Sequence, residues 1–339
     1  MPIVESCESE SQGRTGPLYE SVADSQCHAT SILDVLTNVI DERAIDVAHN
    51  TSNPPELLYH YTTFGVWEAL ASGKADLCCT DFHELNDTRE YYFGLKCIKR
   101  ALKAHFENDK SNGVDELCKK FGEMASLLKG LDRFYLYSPW VFSLSAARDS
   151  LHQWVAYTDK NVGGVALGIS RTKLEKHLEH FRANERAAGR NCHCELLPCL
   201  YVKQDGGFYI NRCKVDFIKI FETLHDLFCK DKGEENGIQL VILLLASIIK
   251  DYPFADEDEW RVILQYESLG DLSLADVVGG KLRMPFLLRN ADMMFDCVKE
   301  VMSAPHANLA YARRSLLFPQ IRNKKWKYKL CGSKITYRG

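Results

Sequence analysis

Two glutamates and an arginine alternate in one short acidic segment. Glu257, Glu259 and Arg261 are spaced two residues apart, and the apolar residues after them predict a strand, in which alternate side chains share a face. If that face lines a cleft, one carboxylate can stabilise positive charge at an anomeric carbon while the other orients an acceptor. Arg261 can keep a carboxylate ionised or bind a phosphate. A charged strand end paired in solvent fits the same pattern.

A histidine lies in a predicted strand earlier in the chain, Leu57–Thr62. Alternation places His60 and Thr62 on one face and Tyr61 on the other. An imidazole there can hydrogen-bond a ligand hydroxyl without changing its charge. A hydrogen-bonded structural role is the alternative for a lone histidine.

Two serines alternate at the end of a predicted strand within Phe134–Ser145. Ser143 and Ser145 share a face, while Phe142 and Leu144 point towards the core. Small hydroxyl side chains that face a cleft leave room for a ligand ring. The same residues also fit exposed positions on a half-buried strand.

Polar residues precede a predicted helix at 86–90. Asp87 as the N-cap, with Glu90 three residues later, resembles a capping box. With Glu259, these two carboxylates also allow a metal-dependent hydrolase, although the chain shows no spacing diagnostic of a metal site. Cys192, His193 and Cys194 likewise lack the paired spacing of structural zinc.

Helices and strands interleave irregularly, which favours an α+β fold over a doubly wound parallel sheet. No glycine-rich phosphate loop is present. Further strands are predicted at Gly163–Ile169, Trp260–Tyr266, Lys325–Leu330 and Lys334–Tyr337. Helices are predicted at Gly65–Ser72, Asp115–Leu128, Lys173–Ala188, Lys214–Phe228, Ile238–Ile249 and near Asp292–Met302.

The 339 residues, 46% of them hydrophobic and 26% charged, are typical of a globular protein. We expect a disordered tail at 1–30, a helix and linker at 31–53, and one catalytic-type domain at 54–339 with a helical insertion at about 170–250. The longest apolar run, Ile238–Ile249, is too short to cross a bilayer. The N-terminus does not resemble a signal peptide, which predicts a cytoplasmic protein with free thiols.

Positive charge is concentrated near the C-terminus. Residues 311–339 hold nine Lys or Arg residues and no acidic residue. A basic segment of this kind predicts a contact with a polyanion through 313–338. Alternation of Lys325, Lys327 and Lys329 with Trp326 and Tyr328 also fits an edge strand, which lysines commonly protect from further pairing.

Several of these segments together resemble a prokaryotic family catalogued as domain of unknown function 2971. The resemblance covers about residues 57–338, and one departure is Thr88, where the family commonly has proline. The segments are YHYTT at 59–63, LNDTRE at 85–90, FSLS at 142–145, WVAY at 154–157, GVALG at 164–168, EDEWR at 257–261 and SKITYR at 333–338.

The first segment also resembles the opening strand of ADP-ribosyltransferases of the poly(ADP-ribose) polymerase and DNA-modifying toxin types. This resemblance implies NAD as the cofactor, with His60 on its ribose and Thr62 in the small hydroxyl position. Tyr61 stands where the polymerases have glycine. Arg261 and Asn86 are expected to complete the cofactor site.

The later segments resemble two further motifs of these transferases. Ser143-Leu144-Ser145 is similar to their Ser-x-Ser strand, and Glu257-Asp258-Glu259 is similar to their Glu-x-Glu. The resemblance implies that Glu259 is catalytic and that Glu257 assists the acceptor. The three motifs also follow one another in the order that such enzymes use.

We therefore expect an α+β fold with a split antiparallel sheet and helical insertions. The expected function is NAD-dependent ADP-ribosylation of a protein or nucleic acid, in a bacterial cytoplasmic toxin or phage-defence effector. Two alternatives remain open. One is a non-enzymatic binding module in which the same polar residues form a structural network, and the other is the metal-dependent hydrolase or nuclease.

Overall fold

A computed structural model describes the protein at residues 54–85, 89–108, 139–190, 192–210, 213–232, 234–266, 276–278, 281–285, 295–322 and 326–335. All of them fall within one unit, Ser31–Gly339. The tail predicted at 1–30, the helix and linker at 31–53, the cap at Asn86–Asp87 and the helix at Asp115–Leu128 lie outside the described residues.

Strands and helices are interleaved irregularly along the described chain. The strands are β1 (Leu57–Thr63), β2 (Cys78–Asp81), β3 (Trp140–Ser145), β4 (Gly164–Ser170), β5 (Cys192–Pro198), β6 (Leu200–Val202), β7 (Phe208–Ile210), β8 (Cys213–Val215), β9 (Ile249–Asp251), β10 (Glu259–Tyr266), β11 (Asp276–Val278), β12 (Lys281–Pro285), β13 (Val298–Ser303) and β14 (Lys329–Gly332). The helices are α1 (Phe64–Ala71), α2 (Glu90–Asn108), α3 (Leu151–Tyr157), α4 (Arg171–Ala187), α5 (Phe217–Lys232), α6 (Glu234–Ile248) and α7 (Leu309–Arg322).

A ten-stranded sheet forms the centre of the described structure. Its order is β11-β12-β2-β3-β1-β4-β13-β14, and β10 joins it by pairing with both β3 and β5. Only the β13–β14 pair is parallel within the described part of this sheet. The mixture of helices and strands around a multi-stranded mixed sheet is thus confirmed.

Strand β3 pairs with β10 along the whole of one edge, from Trp140 to Ser145. Along its other edge, which faces β1 and β2, its partner changes from one end of the strand to the other. On this second edge, Ser145 pairs with β1, whereas Trp140 and Val141 pair with β2. Within the described chain, residues 142–144 have no ladder partner there, so the sheet opens between β1 and β2.

Apolar side chains on the helices and strands explain where the core lies. Strand β4 is buried along its whole length, as expected of a central strand covered on both faces. Helices α2, α5 and α6 pack with a smaller sheet, β8-β7-β6-β9, in one hydrophobic cluster. Tryptophans Trp67, Trp140 and Trp260 belong to a second cluster with α1 and α4.

Helix α7 contains a proline that links it to α1. Pro319 lacks the backbone N–H that would bond to the carbonyl of Ser315 four residues earlier. The Trp67 indole donates to that carbonyl oxygen at 3.1 Å instead. The next carbonyl, Leu316 O, accepts a hydrogen bond from the Tyr328 hydroxyl at 2.9 Å. Side chains thereby satisfy two backbone groups beside the proline.

The helix predicted near Asp292–Met302 is wrong in its second half. Val298–Ser303 forms β13, which pairs with the buried strand β4 and with β14. These partners are distant in sequence, so local periodicity did not indicate them. The predicted strand at Lys334–Tyr337 is also wrong at 334–335, which have no regular structure, and the closing strand is Lys329–Gly332.

No helix within the described ranges combines the length and the apolar character needed to cross a membrane.

Candidate functional site

A cleft of about 850 Å³ lies at the opening of the sheet. Strand β1, helix α1, strand β3 and strand β10 all contribute to its walls, together with the segment 250–257. This volume falls within the range of clefts that bind small molecules and cofactors. The predicted residues that line it are His60, Tyr61, Thr62, Ser143, Glu257, Glu259 and Arg261.

A cluster of five charged residues forms one side of the cleft. The Arg261 Nε donates to Glu259 Oε1 at 2.9 Å, and Arg261 Nη2 donates to Glu90 Oε1 at 2.9 Å. The Lys250 ammonium donates to Glu259 Oε2 at 2.7 Å and to Glu257 Oε2 at 2.6 Å. Three carboxylates therefore share two cations.

The cluster is buried, and this makes its electrostatics strong. Burial would raise the pKa of Glu259, but Arg261 and Lys250 outweigh it and hold that pKa well below its ordinary value. For Glu90, burial dominates and raises the pKa despite the opposing charge of Arg261. Burial disfavours the charged form of Lys250, but the surrounding carboxylates raise its pKa. Arg261 and Lys250 thus keep Glu259 ionised.

Strand geometry and one unusual turn bring the two glutamates together. Glu259 and Arg261 alternate on β10 as predicted, and Arg261 is 1% exposed. Glu257 ends a 3₁₀ helix before the strand, and Asp258 between them adopts a left-handed conformation with φ of 41°. Aspartate tolerates this region better than most residues. The turn allows Glu257 to reach the same Lys250 ammonium as Glu259.

His60 and Thr62 line the cleft on the neighbouring strand β1. The His60 Nδ1 lies 3.2 Å from the backbone oxygen of Ser143, and its ring lies against Phe142 at 4.6 Å between centroids. This contact crosses the part of β3 that has no ladder partner. The histidine is therefore held between two strands and faces the cleft.

The two serines have different positions. Ser143 lines the cleft, but Ser145 is 2% exposed and does not. The Ser145 hydroxyl donates to the backbone oxygen of Glu257 at 2.6 Å and accepts from the Ala147 N–H at 3.0 Å. Ser145 therefore lies outside the lining of the cleft, where its hydroxyl positions the backbone of Glu257, and its contact with a cofactor stays a prediction.

Tyr61 lines the cleft but its phenol is bound elsewhere. The hydroxyl donates to Ala147 O at 2.7 Å and accepts from the Ser150 N–H at 3.2 Å, while the ring packs edge-on against Trp154. Its hydroxyl is thus engaged by the loop after β3. Asn86, the remaining predicted cofactor residue, lies outside the described residues.

The sequence analysis did not predict Lys250 or Tyr157 as residues of the site. Lys250 directly follows the apolar run Ile238–Ile249. A single charged residue at the end of such a run was the feature of the sequence that could have indicated its role. Tyr157 ends α3 and lines the cleft, with 38% of its surface exposed. Desolvation and the carboxylates of Glu259 and Glu257 raise the pKa of Tyr157 to about 12, so it remains a neutral hydrogen-bond donor.

Metal binding is not favoured by the arrangement of these side chains. Within the described ranges, no group of three or more His, Cys, Asp or Glu residues is placed to hold a metal ion. Glu90 and Glu259 both hydrogen-bond to Arg261, and Lys250 lies within ion-pair distance of each. Both carboxylates are thus already engaged by cationic side chains. Asp87, the third predicted ligand, lies outside the described residues.

Residues 153–262 match a protein family described as "Protein of unknown function (DUF2971)". The match includes most of α3, the whole of β4 and the start of β10, and it confirms the predicted resemblance to that family over this segment. Neither the curated proteins nor the solved structures contained a match to the chain.

Proposed function

We propose that this protein transfers ADP-ribose from NAD to a macromolecule. The observation that carries the proposal is that His60, Ser143 and Glu259, which follow one another in the chain, lie on strands β1, β3 and β10 around one cleft. The resemblance to ADP-ribosyltransferases requires these three groups to converge. The opening of the sheet between β1 and β2 also supports the split antiparallel sheet expected of that fold.

The groups along the cleft suit the parts of NAD. His60 and Thr62 offer polar atoms to the nicotinamide ribose, and Ser143 leaves space beside them. Arg89 also lines the cleft and supplies positive charge towards the pyrophosphate. Val66 and Phe254, each 43% exposed, provide apolar surface at the cleft for a planar ring.

The chemistry requires a negative charge beside the anomeric carbon. The bond from that carbon to the nicotinamide nitrogen breaks, and nicotinamide leaves with the electron pair, so positive charge develops on the ribose ring. Ionised Glu259, fixed by Arg261 and Lys250, stabilises this charge without reorganising. The acceptor then forms a bond to the same carbon, and its proton passes to Glu257, which acts as general base.

The test compares two buried carboxylates. Glu259→Gln keeps the shape but removes the charge, so we expect nicotinamide release from labelled NAD to slow by about 10²–10³-fold. Glu185→Gln is the matched control, because Glu185 is also buried and paired with an arginine, Arg190, but does not line the cleft. Both variants are first compared by thermal melting. A folded Glu259→Gln protein with undiminished NAD turnover would disprove the proposal.

The acceptor is a protein or a nucleic acid, and one incubation separates them. Labelled NAD is added to cell extract with the protein, and the extract is then treated with protease or nuclease. Label that nuclease releases identifies a nucleic-acid acceptor, and label that protease releases identifies a protein. Either acceptor is compatible with a bacterial toxin or phage-defence effector.

A non-enzymatic binding module is the second candidate. One observation favours it, namely that both carboxylate oxygens of Glu259 accept hydrogen bonds from cations. A fully satisfied buried network rigidifies a core. On this candidate, wild-type protein releases no nicotinamide and Glu259→Gln lowers only the melting temperature. Nicotinamide release by the wild type therefore distinguishes the two candidates.

A further inference from the structure

A second concave site lies beside α1, which lines it with other residues than those that line the cleft. This groove has a volume of about 470 Å³ and lies between α1 and α7. Helix α1 contributes Gly65, Val66 and Ala69 to the cleft, whereas other residues of α1 and Ser72 after it line the groove. The residues of the groove are Glu68, Ala71, Ser72, Tyr311, Arg314, Ser315 and Pro319.

One buried polar atom of the groove has no partner. Ser315 is 7% exposed, and its Oγ makes no hydrogen bond within the described part of the chain. Its backbone oxygen is already bonded to the Trp67 indole because of Pro319. Buried hydroxyl groups are normally paired, and an unpaired one calls for an explanation such as a ligand. Ser315 thus lines the groove and carries a buried hydroxyl group that has no partner among the described residues.

Opposite charges accompany this hydroxyl group. Glu68 and Arg314 both line the groove and are both exposed. Arg314 has no ion-pair partner in the described ranges, so its guanidinium can bind a carboxylate. Glu68 accepts a hydrogen bond from the Tyr311 hydroxyl at 2.8 Å on Oε1. A carboxylate has further acceptor positions and can bind an ammonium group as well.

We propose that the groove binds a small zwitterion, either a free amino acid or a dipeptide. Arg314 binds its carboxylate, Glu68 binds its ammonium group, and Ser315 supplies a hydrogen bond near the carboxylate. Ala71 and Pro319, which are both buried, provide the apolar surface for the side chain. The proposal is independent of the reaction proposed for the cleft.

Blocked ligands test each end of the zwitterion separately. Binding of L-leucine and of leucyl-leucine to the full chain is measured by calorimetry. N-acetyl-leucine lacks the ammonium group and leucinamide lacks the carboxylate. We expect each blocked ligand to bind at least about tenfold more weakly than the tighter of the two zwitterions, since each loses one charged contact. Equal binding of the blocked and free ligands would overturn the proposal, as would no binding of either zwitterion at millimolar concentration.

Variants assign the contacts to residues. Arg314→Gln is expected to weaken L-leucine binding about tenfold but to leave leucinamide binding unchanged, because the amide makes no contact that depends on the guanidinium charge. Arg313→Gln is the matched control, since Arg313 is exposed beside it and does not line the groove. An equal loss in both arginine variants, or an equal loss for leucine and leucinamide, would contradict the assignment. Glu68→Gln tests the ammonium contact in the same way with N-acetyl-leucine.

Discussion

Glu259 and Glu90 accept hydrogen bonds from the same guanidinium, yet their pKa values shift in opposite directions. Arg261 donates to both carboxylates. Glu259 Oε2 also accepts a hydrogen bond from the Lys250 ammonium at 2.7 Å, whereas that ammonium lies 3.8 Å from Glu90 Oε1. The second close cation keeps Glu259 ionised. The two carboxylates therefore contribute to stability with opposite dependence on pH.

Replacing Glu259 should cost far more stability than replacing Glu90. Glu259→Gln leaves the cations of Lys250 and Arg261 undercompensated, and breaking a buried pair costs about 3–5 kcal/mol. Glu90→Gln removes a carboxylate whose pKa is already raised, and the amide oxygen can still accept from Arg261, so we expect about 1 kcal/mol or less. Urea unfolding at neutral pH measures both. Equal losses would show that the two carboxylates are equivalent.

Lowering the pH should reduce the difference between wild type and Glu259→Gln. The folded-state pKa of Glu259 lies below its ordinary value of 4.5, so its contribution is complete above that pH and decreases as the pH falls towards the folded value. We expect the difference in unfolding free energy to shrink by about 1.4 kcal/mol per pH unit below that point. Urea unfolding between pH 5 and pH 3 measures it. A constant difference would contradict the pKa shift.

Helices α2 and α6 cross at a glycine, and this crossing positions the charged cluster. A Cβ atom at Gly94 would lie 2.5 Å from the backbone oxygen of Ala246. Glu90 begins α2, and Ser247, after Ala246, offers its backbone oxygen to Arg261 at 2.6 Å. The close approach of the two helices therefore sets the distance between Glu90 and Arg261.

Gly94→Ala should destabilise the protein even though alanine favours helices. Overpacking typically costs about 1–3 kcal/mol, which exceeds the gain in helix propensity of about 1 kcal/mol. Gly65→Ala is the control, because a Cβ atom there would meet its nearest neighbour, Thr63 Oγ1, at 3.9 Å. We expect that variant to be neutral or slightly stabilised in thermal melting. A stabilised Gly94→Ala protein would disprove the close crossing.

The proline in α7 predicts an interaction between two substitutions. Trp67→Phe removes the donor to Ser315 O and should cost about 1–3 kcal/mol for the unpaired carbonyl, apart from lost packing. Pro319→Ala supplies a backbone N–H to the same oxygen. The loss caused by Trp67→Phe should then be smaller in the Pro319→Ala background. Additive effects in a double-mutant cycle would show that the two donors do not share this carbonyl.

The basic C-terminal segment of the molecule separates its lysines from its aromatic residues. Lys327 and Lys329 are exposed. Trp326 stacks on Phe295 with centroids 3.9 Å apart, and Tyr328 is 7% exposed in the core. The aromatic side chains thus stabilise the fold. The strand predicted at Lys325–Leu330 is confirmed at 329–330, which begin β14, whereas 326–328 have no regular structure. Any polyanion would contact the lysines and arginines.

Polyanion binding through 313–338 remains a prediction that salt can test. Affinity for a single-stranded RNA oligonucleotide should fall with ionic strength, and Lys327→Gln with Lys329→Gln should reduce the salt slope by about 1.4, the value for two phosphate contacts. Lys74→Gln with Lys176→Gln is a control of equal charge outside this segment. An unchanged slope in the first pair would exclude these lysines from binding.

Local patterns predicted the elements whose side chains alternate or recur regularly, and they missed what depends on distant partners. Strands β1, β4 and β10 lie within one residue of their predicted bounds. Strand β13 was mistaken for a helix because β4 and β14 determine its conformation. The same contrast between local patterns and distant contacts holds for the residues of the candidate site. Glu257 and Glu259 were visible as a spaced pair, whereas Lys250 joins them only through the fold.

The distance along the chain between Glu90 and Arg261 also affects how the protein is made. They are 171 positions apart, so at about 5–20 residues per second the ribosome needs roughly 9–34 seconds to add the second after the first. During that interval the carboxylate of Glu90 lacks the guanidinium of Arg261. We infer that the contact between Glu90 and Arg261 forms late in synthesis, and that chains truncated before β10 lack it entirely.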